Sequence, residues 1–283
     1  METQTMQTTP STQIVNVGGY SIGGPEFTVI AGPCSIESRE QFLETAMGVK
    51  ASGAHLLRGG IWKMRTSSKD FQGLGTSSFD MIKDVCKQTG MSLVSEVTDA
   101  RQIEQIYDVV ECFQVGSRNM HNYALLKELG MQKKPVLLKR GFAALITEWV
   151  KAAEYVTVGG NPNVILCERG IRTFETSTRN TLDLNAVAFA KKNTSLPVIV
   201  DPSHAVGIRA LVPDLAYAAA AVGADGIIVE VHPRPAEALS DGMQALTLND
   251  FKVMMNKLDR ILDAIDRPLH TQLQSEGAVV YAN

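Results

Sequence analysis

Short runs of aliphatic and β-branched residues recur along the chain, and between them apolar residues return every three or four positions. The runs are FTVIAGPC from Phe27, HLLRGG from His55, SLVSEV from Ser92, CFQVG from Cys112, PVLLKR from Pro135, VILCERG from Val164, PVIVDPSH from Pro197 and GIIVEVHP from Gly226. Runs that are apolar at consecutive positions suit strands buried on both faces, as in parallel sheets. The stretches between them, among them SREQFLETAMGVKASG, LLKELG, ALITEWVKAAEYV and LVPDLAYAAAAVG, carry helical spacing. Several stop at glycine, the residue that best tolerates the left-handed backbone past a helix end. Eight such alternations predict an α/β chain folded as a single closed (β/α)8 barrel of the TIM type, over residues 27–267. An open doubly wound sheet is the alternative, but no GxGxxG turn follows the first strand.

Before the first barrel strand, residues 1–26 include QIVNVGGYSIGG, whose two Gly-Gly pairs predict a β-hairpin closing one end of the barrel; residues 268–283 form a tail. Connections from helix to strand are tight, at Gly53-Ala54, Gly90-Met91 and Gly223-Ala224. Three connections from strand to helix are long: Ile61–Thr76, Ile171–Arg179 and Pro233–Thr247. In a barrel the long ones share the face where strands end, and barrel enzymes carry their chemistry there.

The strand ends are rich in ionisable groups. They comprise Cys34, Arg58, Glu96, Arg118 just beyond the fourth strand, Lys139-Arg140, Glu168-Arg169, Asp201 with His204, and Glu230 with His232. Arg58, Lys63, Arg65, Arg118, Lys139 and Arg169 would meet at one mouth, where their repulsion is relieved when anions enter. Guanidinium forks match phosphate and carboxylate oxygens, so the expected ligand is small and carries several negative groups.

Composition narrows the partners. The net charge of −3 and the absence of a basic block argue against nucleic acid. No apolar run approaches the ~20 residues of a membrane span, and METQTMQTTPSTQ lacks the apolar segment of a signal peptide, so a cytoplasmic protein is expected. The four cysteines, Cys34, Cys86, Cys112 and Cys167, lack CxxC spacing and suit a reducing compartment.

Cys34, His204, Glu230 and Asp241 form a second constellation, a thiol, an imidazole and two carboxylates. That mixed donor set suits one catalytic Mn²⁺, Fe²⁺, Co²⁺ or Zn²⁺ better than Mg²⁺. Taken singly, Cys34 reads as a small buried hydrophobe and His204 as a hydrogen-bonded turn residue; their meeting depends on barrel closure.

The stretches AGPCSIES, LRGG with KMRTS and FQGLG, QVGSRNM, LLKRG, CERGIRTFE, TRNTLD, DPSHAVG and ADGIIVEVHP followed by ALSDG span residues 31–242 in one order. In this the chain resembles the type I beta 3-deoxy-D-arabino-heptulosonate 7-phosphate (DAHP) synthases. The related 3-deoxy-D-manno-octulosonate 8-phosphate synthases share fold and mechanism but place two residues between the lysine and arginine of a KANRTS-like motif; here only Met64 separates Lys63 from Arg65.

The resemblance implies a transferase that condenses phosphoenolpyruvate with erythrose 4-phosphate at the entry to the shikimate pathway of aromatic amino acid synthesis. It places phosphoenolpyruvate on Arg58, Lys63, Arg118, Lys139 and Arg169, and erythrose 4-phosphate on Arg65 and Thr66 with Asp201 beside its aldehyde. It also makes Cys34, His204, Glu230 and Asp241 the metal ligands, with Mn²⁺ first among the candidates, and Lys63, Asp201, His204 and Cys34 the catalytic groups. A homodimer or homotetramer is the implied assembly. Met64 replaces the proline usual in the family's KPRTS, which should loosen that loop, and Ser117 stands where alanine is common. Relatives often carry a ferredoxin-like or chorismate mutase domain; residues 1–26 are too few for either, so no fused feedback control is expected. Use of arabinose 5-phosphate, a class II aldolase and a non-catalytic metabolite-binding paralogue are the other readings, but the aldolase would want more histidine ligands and the paralogue should have lost ligands or cations.

Overall fold

The computed structural model describes residues 11–65 and 67–270. Thr66 and residues 271–283 of the tail lie outside the described residues, as do residues 1–10.

The chain begins with a hairpin, β1 (Val15–Val17) and β2 (Tyr20–Ile22), paired antiparallel from Val15 opposite Ile22 to Val17 opposite Tyr20. Gly18 and Gly19 turn it, both at positive φ, the backbone that a two-residue hairpin needs and glycine supplies without strain. The barrel strands follow: β3 (Thr28–Gly32), β4 (Leu56–Arg58), β5 (Leu93–Glu96), β6 (Cys112–Val115), β7 (Val136–Lys139), β8 (Val164–Glu168), β9 (Val198–Val200) and β10 (Gly226–Glu230). Each pairs in parallel with its neighbour in sequence, and β10 returns to β3, with Gly226 opposite Thr28 and Glu230 opposite Gly32. The predicted closed barrel is therefore what forms.

Alternation along each strand divides the core in two. Ile30, Leu56, Val94, Cys112, Leu137, Ile165, Ile199 and Ile228, one from each strand, fill the barrel interior together with Val15, Val17 and Ile22 of the hairpin. The hairpin thus plugs the end opposite the catalytic face, as its position before the first barrel strand predicts. The neighbours of these residues, such as Val29, Leu57, Leu93, Phe113, Leu138, Leu166, Val200 and Val229, face outward into the helical layer. Both strand faces are covered, which explains the unbroken apolar runs.

The helices are α1 (Arg39–Ala51), α2 (Phe79–Thr89), α3 (Arg101–Ile106), α4 (Tyr123–Gly130), α5 (Ile146–Val158), α6 (Leu184–Asn193), α7 (Pro202–Val206), α8 (Val212–Ala221) and α9 (Leu248–Ala264). Polar side chains start many of them: Ser38 accepts from Gln41 N, Asn122 from Leu125 N, Asp183 from Ala186 N and Thr247 from Asp250 N. The short α3 and α7 are not among the periodic stretches. Helix α7 exists because Asp201 caps it by accepting from His204 N and Pro202 takes its first position, so DPSH is a strand end followed at once by a helical turn. Residues 268–270, grouped with the tail by sequence, pack against the closed end of the barrel. Phe27 N donates to Pro268 O, Leu269 bridges Phe27, and the His270 ring lies against Tyr20 and His55.

Candidate active site and metal centre

Barrel closure brings Arg58, Lys63, Arg65, Arg118, Lys139 and Arg169 to one cavity at the strand ends, with His204 and Asp241 in its wall. All six predicted cations line it, although their nearest partners divide them into two kinds. Arg58 is buried and donates to Glu230 Oε1 at 2.8 Å, and Lys139 is buried with its Nζ 2.5 Å from Asp201 Oδ2. These two cations are already compensated. Arg118 has no ion pair among the described residues; its guanidinium lies 5.5 Å from the centre of the Phe142 ring. Arg169 lies 4.8 Å from the same ring, and burial lowers its pKa, so Arg118 and Arg169 are the guanidiniums left to receive an anion. Arg65 pairs loosely with the exposed Asp70 at 3.4 Å. Lys63 is half-buried; burial opposes its charge, but the acidic neighbours Cys34 and Glu96 raise its pKa above the ordinary lysine value.

One atom each of Cys34, His204, Glu230 and Asp241 lies within 4.8 Å of the others. Cys34 Sγ stands 3.4 Å from Asp241 Oδ2, and His204 Nε2 stands 3.2 Å from Glu230 Oε1 and 3.9 Å from Asp241 Oδ2. Asp201 decides which imidazole nitrogen faces the cluster. Its Oδ2 lies 2.7 Å from His204 Nδ1, so in the neutral ring Nδ1 carries the proton and Nε2 turns a lone pair toward two carboxylate oxygens. Burial lowers the His204 pKa, outweighing the two acids, which favours that neutral form. Burial, reinforced by Glu230, pushes the Cys34 thiol up to about 12, and a cation must displace its proton to take the sulfur. Burial opposes ionisation of Glu230 and Asp241, yet both pKa values lie below the usual range, Asp241 at about 2; His204 opposes burial only while its ring is protonated, whereas Arg58 at Glu230 and Arg179 at Asp241 do so with the ring neutral. A lone pair and two carboxylates converging in a buried wall repel one another unless a cation lies between them, so the donor set fits a divalent ion.

Three residues, Asp201, Arg140 and Glu168, are placed differently from the sequence reading. Asp201 does not line the cavity: it is fully buried behind His204, with Oδ1 on His204 N and Oδ2 on both His204 Nδ1 and Lys139 Nζ. Burial raises its pKa, but His204 and Lys139 outweigh that and hold it well below the usual carboxylate range. Three of the roughly four acceptor sites of its carboxylate are taken, so it orients His204 and compensates Lys139. Arg140 and Glu168 also turn away from the mouth, pairing with each other at 3.0 Å while Arg140 reaches Asp183 at 2.9 Å. His232 sits behind the metal cluster, its Nε2 3.5 Å from Glu37 Oε2.

Arg179, Gln244 and Glu96 also belong to the site, although the sequence reading assigned none of them a role there. Arg179, inside the quoted TRNTLD stretch, lines the cavity, donates to Gln244 Oε1 at 2.8 Å and lies 3.6 Å from Asp241 Oδ1. Gln244 in turn donates to Glu230 Oε2 at 2.6 Å, leaving Oε1 to face His204. Glu96 reaches the cavity because residue 116 is glycine; a Cβ there would stand 2.0 Å from Glu96 Oε1.

The sequence of residues 7–264 matches the model of the DAHP synthetase I family. The chain is 46% identical over 256 residues to a phospho-2-dehydro-3-deoxyheptonate aldolase of Thermotoga maritima, covering 90% of this chain and 76% of that protein. It is 30% identical over 287 residues to a 2-dehydro-3-deoxyphosphooctonate aldolase of Nitrobacter hamburgensis, covering 93% of this chain and 99% of that protein. Its fold superposes on the crystal structure of the Thermotoga maritima phospho-2-dehydro-3-deoxyheptonate aldolase (DAHP synthase) with a TM-score of 0.89 at 45% identity, over 92% of this chain and 76% of that one. A truncated form of the Thermotoga maritima synthase aligns with a TM-score of 0.86 at 42% identity, over 92% of this chain and 96% of that one. With the eight-stranded barrel, the shared motifs and the family match all agreeing over nearly the whole described chain, it belongs to the DAHP synthetase I family.

Proposed function

We propose that this chain joins phosphoenolpyruvate to erythrose 4-phosphate, yielding DAHP and inorganic phosphate, in the cytoplasm and as a homodimer or homotetramer. The observation that carries this reading is the adjacency of a cation-lined mouth, holding Arg118 and Arg169 without an ion pair among the described residues, to a four-donor cluster in its wall. Two phosphorylated substrates, one also bearing a carboxylate, need such a mouth to lie side by side against their own repulsion. Arg118 and Arg169, with Lys63, take phosphoenolpyruvate; Arg58 and Lys139 line the same cavity and offer it N–H donors while Glu230 and Asp201 balance their charge. Arg65, with Thr66 beside it in sequence, takes the erythrose phosphate.

Cys34, His204, Glu230 and Asp241 would hold one divalent ion, Mn²⁺ by our reading, which would supply Lewis-acid polarisation of the aldehyde oxygen. Asp201 keeps His204 in the tautomer that can bind it. C3 of phosphoenolpyruvate forms the new carbon–carbon bond to the aldehyde carbon, and the Lys63 ammonium delivers a proton to the aldehyde oxygen. Water adds at C2, its released proton restoring the Lys63 ammonium, and the C2 hydroxyl of the adduct gives its proton to the phosphate as carbon–oxygen cleavage expels it, while Arg118 and Arg169 stabilise the departing charge.

The single residue between Lys63 and Arg65 and the 46% identity to the heptonate enzyme, against 30% to the octonate enzymes, favour erythrose 4-phosphate over arabinose 5-phosphate. Exposed apolar side chains at Met131, Val158 and Tyr155, on the α4–α5 face, support an oligomer. Among the described residues no helix is long and apolar enough to cross a membrane, which is consistent with the cytoplasm.

Phosphate release tests the proposal. With phosphoenolpyruvate, erythrose 4-phosphate and Mn²⁺, turnover is expected and should cease on chelation and in His204→Ala. Turnover with arabinose 5-phosphate alone, or full activity of His204→Ala in chelator, would overturn it.

A further inference from the structure

Asp241 is the outlying member of the donor cluster. The other three stand on or beside strand ends, whereas Asp241 lies in the long segment between β10 and α9 at φ 50°, left-handed backbone that aspartate adopts only where its surroundings favour it. Its side chain is 27% exposed, against 12% for His204 and 0% for Glu230. Something other than barrel geometry must hold it in place.

The segment that carries Cys34 supplies that hold. Gly60 N donates to Cys34 O at 3.2 Å and Ile36 N to Gly60 O at 3.0 Å, fixing residues 34–36 to the end of β4. From this platform the buried Ser35 hydroxyl meets the buried Ser240 hydroxyl at 2.8 Å, one residue before Asp241. Glu37 Oε1 accepts from Leu239 N at 2.9 Å, two residues before Asp241, and from Ser35 Oγ at 3.3 Å. Glu37 has a buried histidine beside it. His232 Nδ1 accepts from Arg234 N, so Nε2 carries the proton; it has no hydrogen-bond partner among the described residues and faces Glu37 Oε2 at 3.5 Å. The two residues preceding Asp241 are therefore tied to the two residues that flank Ile36, and through them to Cys34.

We propose that Ser35, Ser240 and Glu37 are positioning residues that hold Asp241 beside Cys34 and His204, so that divalent-cation affinity depends on two hydroxyls and a carboxylate that do not touch the ion. This rests on the reading of the four donors as a metal site. If the Asp241 segment were released, each binding event would have to order it again, and groups that orient ligands typically change metal affinity about 10–100-fold.

The test is titration of Mn²⁺ into the metal-free full chain, followed by calorimetry, with thermal melting of the metal-free protein alongside. Ser35→Ala, which loses the bonds to both Ser240 and Glu37, should weaken Mn²⁺ binding about tenfold, Ser240→Ala by no more than that, and the double variant no further than Ser35→Ala, because the contact of Ser240 is already lost there. Glu37→Ala should weaken binding similarly, whereas Glu37→Gln, whose Oε1 can still accept from Leu239 N, should stay within about threefold of wild type. The melting temperature of the metal-free chain should move little in the serine variants. His204→Ala separates the two levels of the argument. Undiminished Mn²⁺ binding by His204→Ala removes the metal site itself. Loss of binding in His204→Ala together with wild-type affinity in Ser35→Ala and Ser240→Ala removes the positioning role and leaves the site intact.

Discussion

Replacing Phe142 by leucine should weaken phosphoenolpyruvate binding without slowing the chemistry. The Phe142 ring lies 4.8 Å from the Arg169 guanidinium, 5.0 Å from Arg172 and 5.5 Å from Arg118. Arg118 has no ion pair among the described residues, and Arg169 donates only a 3.4 Å bond to Gly170 O, so the ring is the main group orienting both. Leucine keeps an apolar side chain there but has no π face. A partly exposed cation–π contact contributes about 0.5–1 kcal/mol, so the two contacts to mouth-lining arginines amount to about 1–2 kcal/mol. That is roughly a fivefold to thirtyfold rise in KM for phosphoenolpyruvate. The ring touches none of the groups assigned to carbon–carbon bond formation, and Arg118 and Arg169 keep their charge for the departing phosphate, so kcat should change less than about twofold. Initial rates of phosphate release, with phosphoenolpyruvate varied at saturating erythrose 4-phosphate, measure both, and Phe142→Tyr should keep KM near wild type. An unchanged KM in Phe142→Leu, or a fall in kcat at constant KM, refutes the idea that the ring arranges the anion-binding guanidiniums.

Two further predictions concern the closed end of the barrel. The buried Asp225 carboxylate accepts from Lys191 at 2.8 Å, Arg267 at 2.7 Å and Val198 N at 2.7 Å, tying α6 and the chain beyond α9 to β9. Asp225→Ala strands those groups and should cost about 3 kcal/mol in urea unfolding, while a loss under 1 kcal/mol would show that the ties are redundant. Burial, with His270 adding to it, lowers the His55 pKa to about 4 from 6.5. The unfolded chain then binds more protons between those values, so the stability contributed by neutral His55 is complete above pH 6.5 and is lost as pH falls toward 4. The loss amounts to about 3 kcal/mol. Unfolding curves from pH 7 to 4.5 should be flatter for His55→Gln than for wild type; parallel curves would place the acid sensitivity elsewhere.

The sequence by itself determined the barrel and its polarity. Strands buried on both faces must be apolar at every position, so VILCE and GIIVE announce themselves without knowledge of their neighbours, and glycines after helices mark the tight connections. The hairpin was legible from Gly18-Gly19, since few other residues fit that turn. The cations and metal donors were legible as residue types at strand ends and through motifs of known order. Their meeting was not, because Cys34 and Asp241 are 207 residues apart and come to 3.4 Å through the β10–β3 pairing together with the ties from Ser240 and Leu239 to Ser35 and Glu37. Tertiary structure alone decided which groups are spent on one another. Asp201 withdraws behind His204 because Lys139 and the start of α7 claim its oxygens, and Arg140 leaves the mouth for Glu168 and Asp183. Phe142, Gln244 and the Ser35–Ser240 contact are equally silent in sequence. Periodicity records how each segment is buried locally, whereas the partner of a polar side chain is set by which distant segments the closed barrel places beside it.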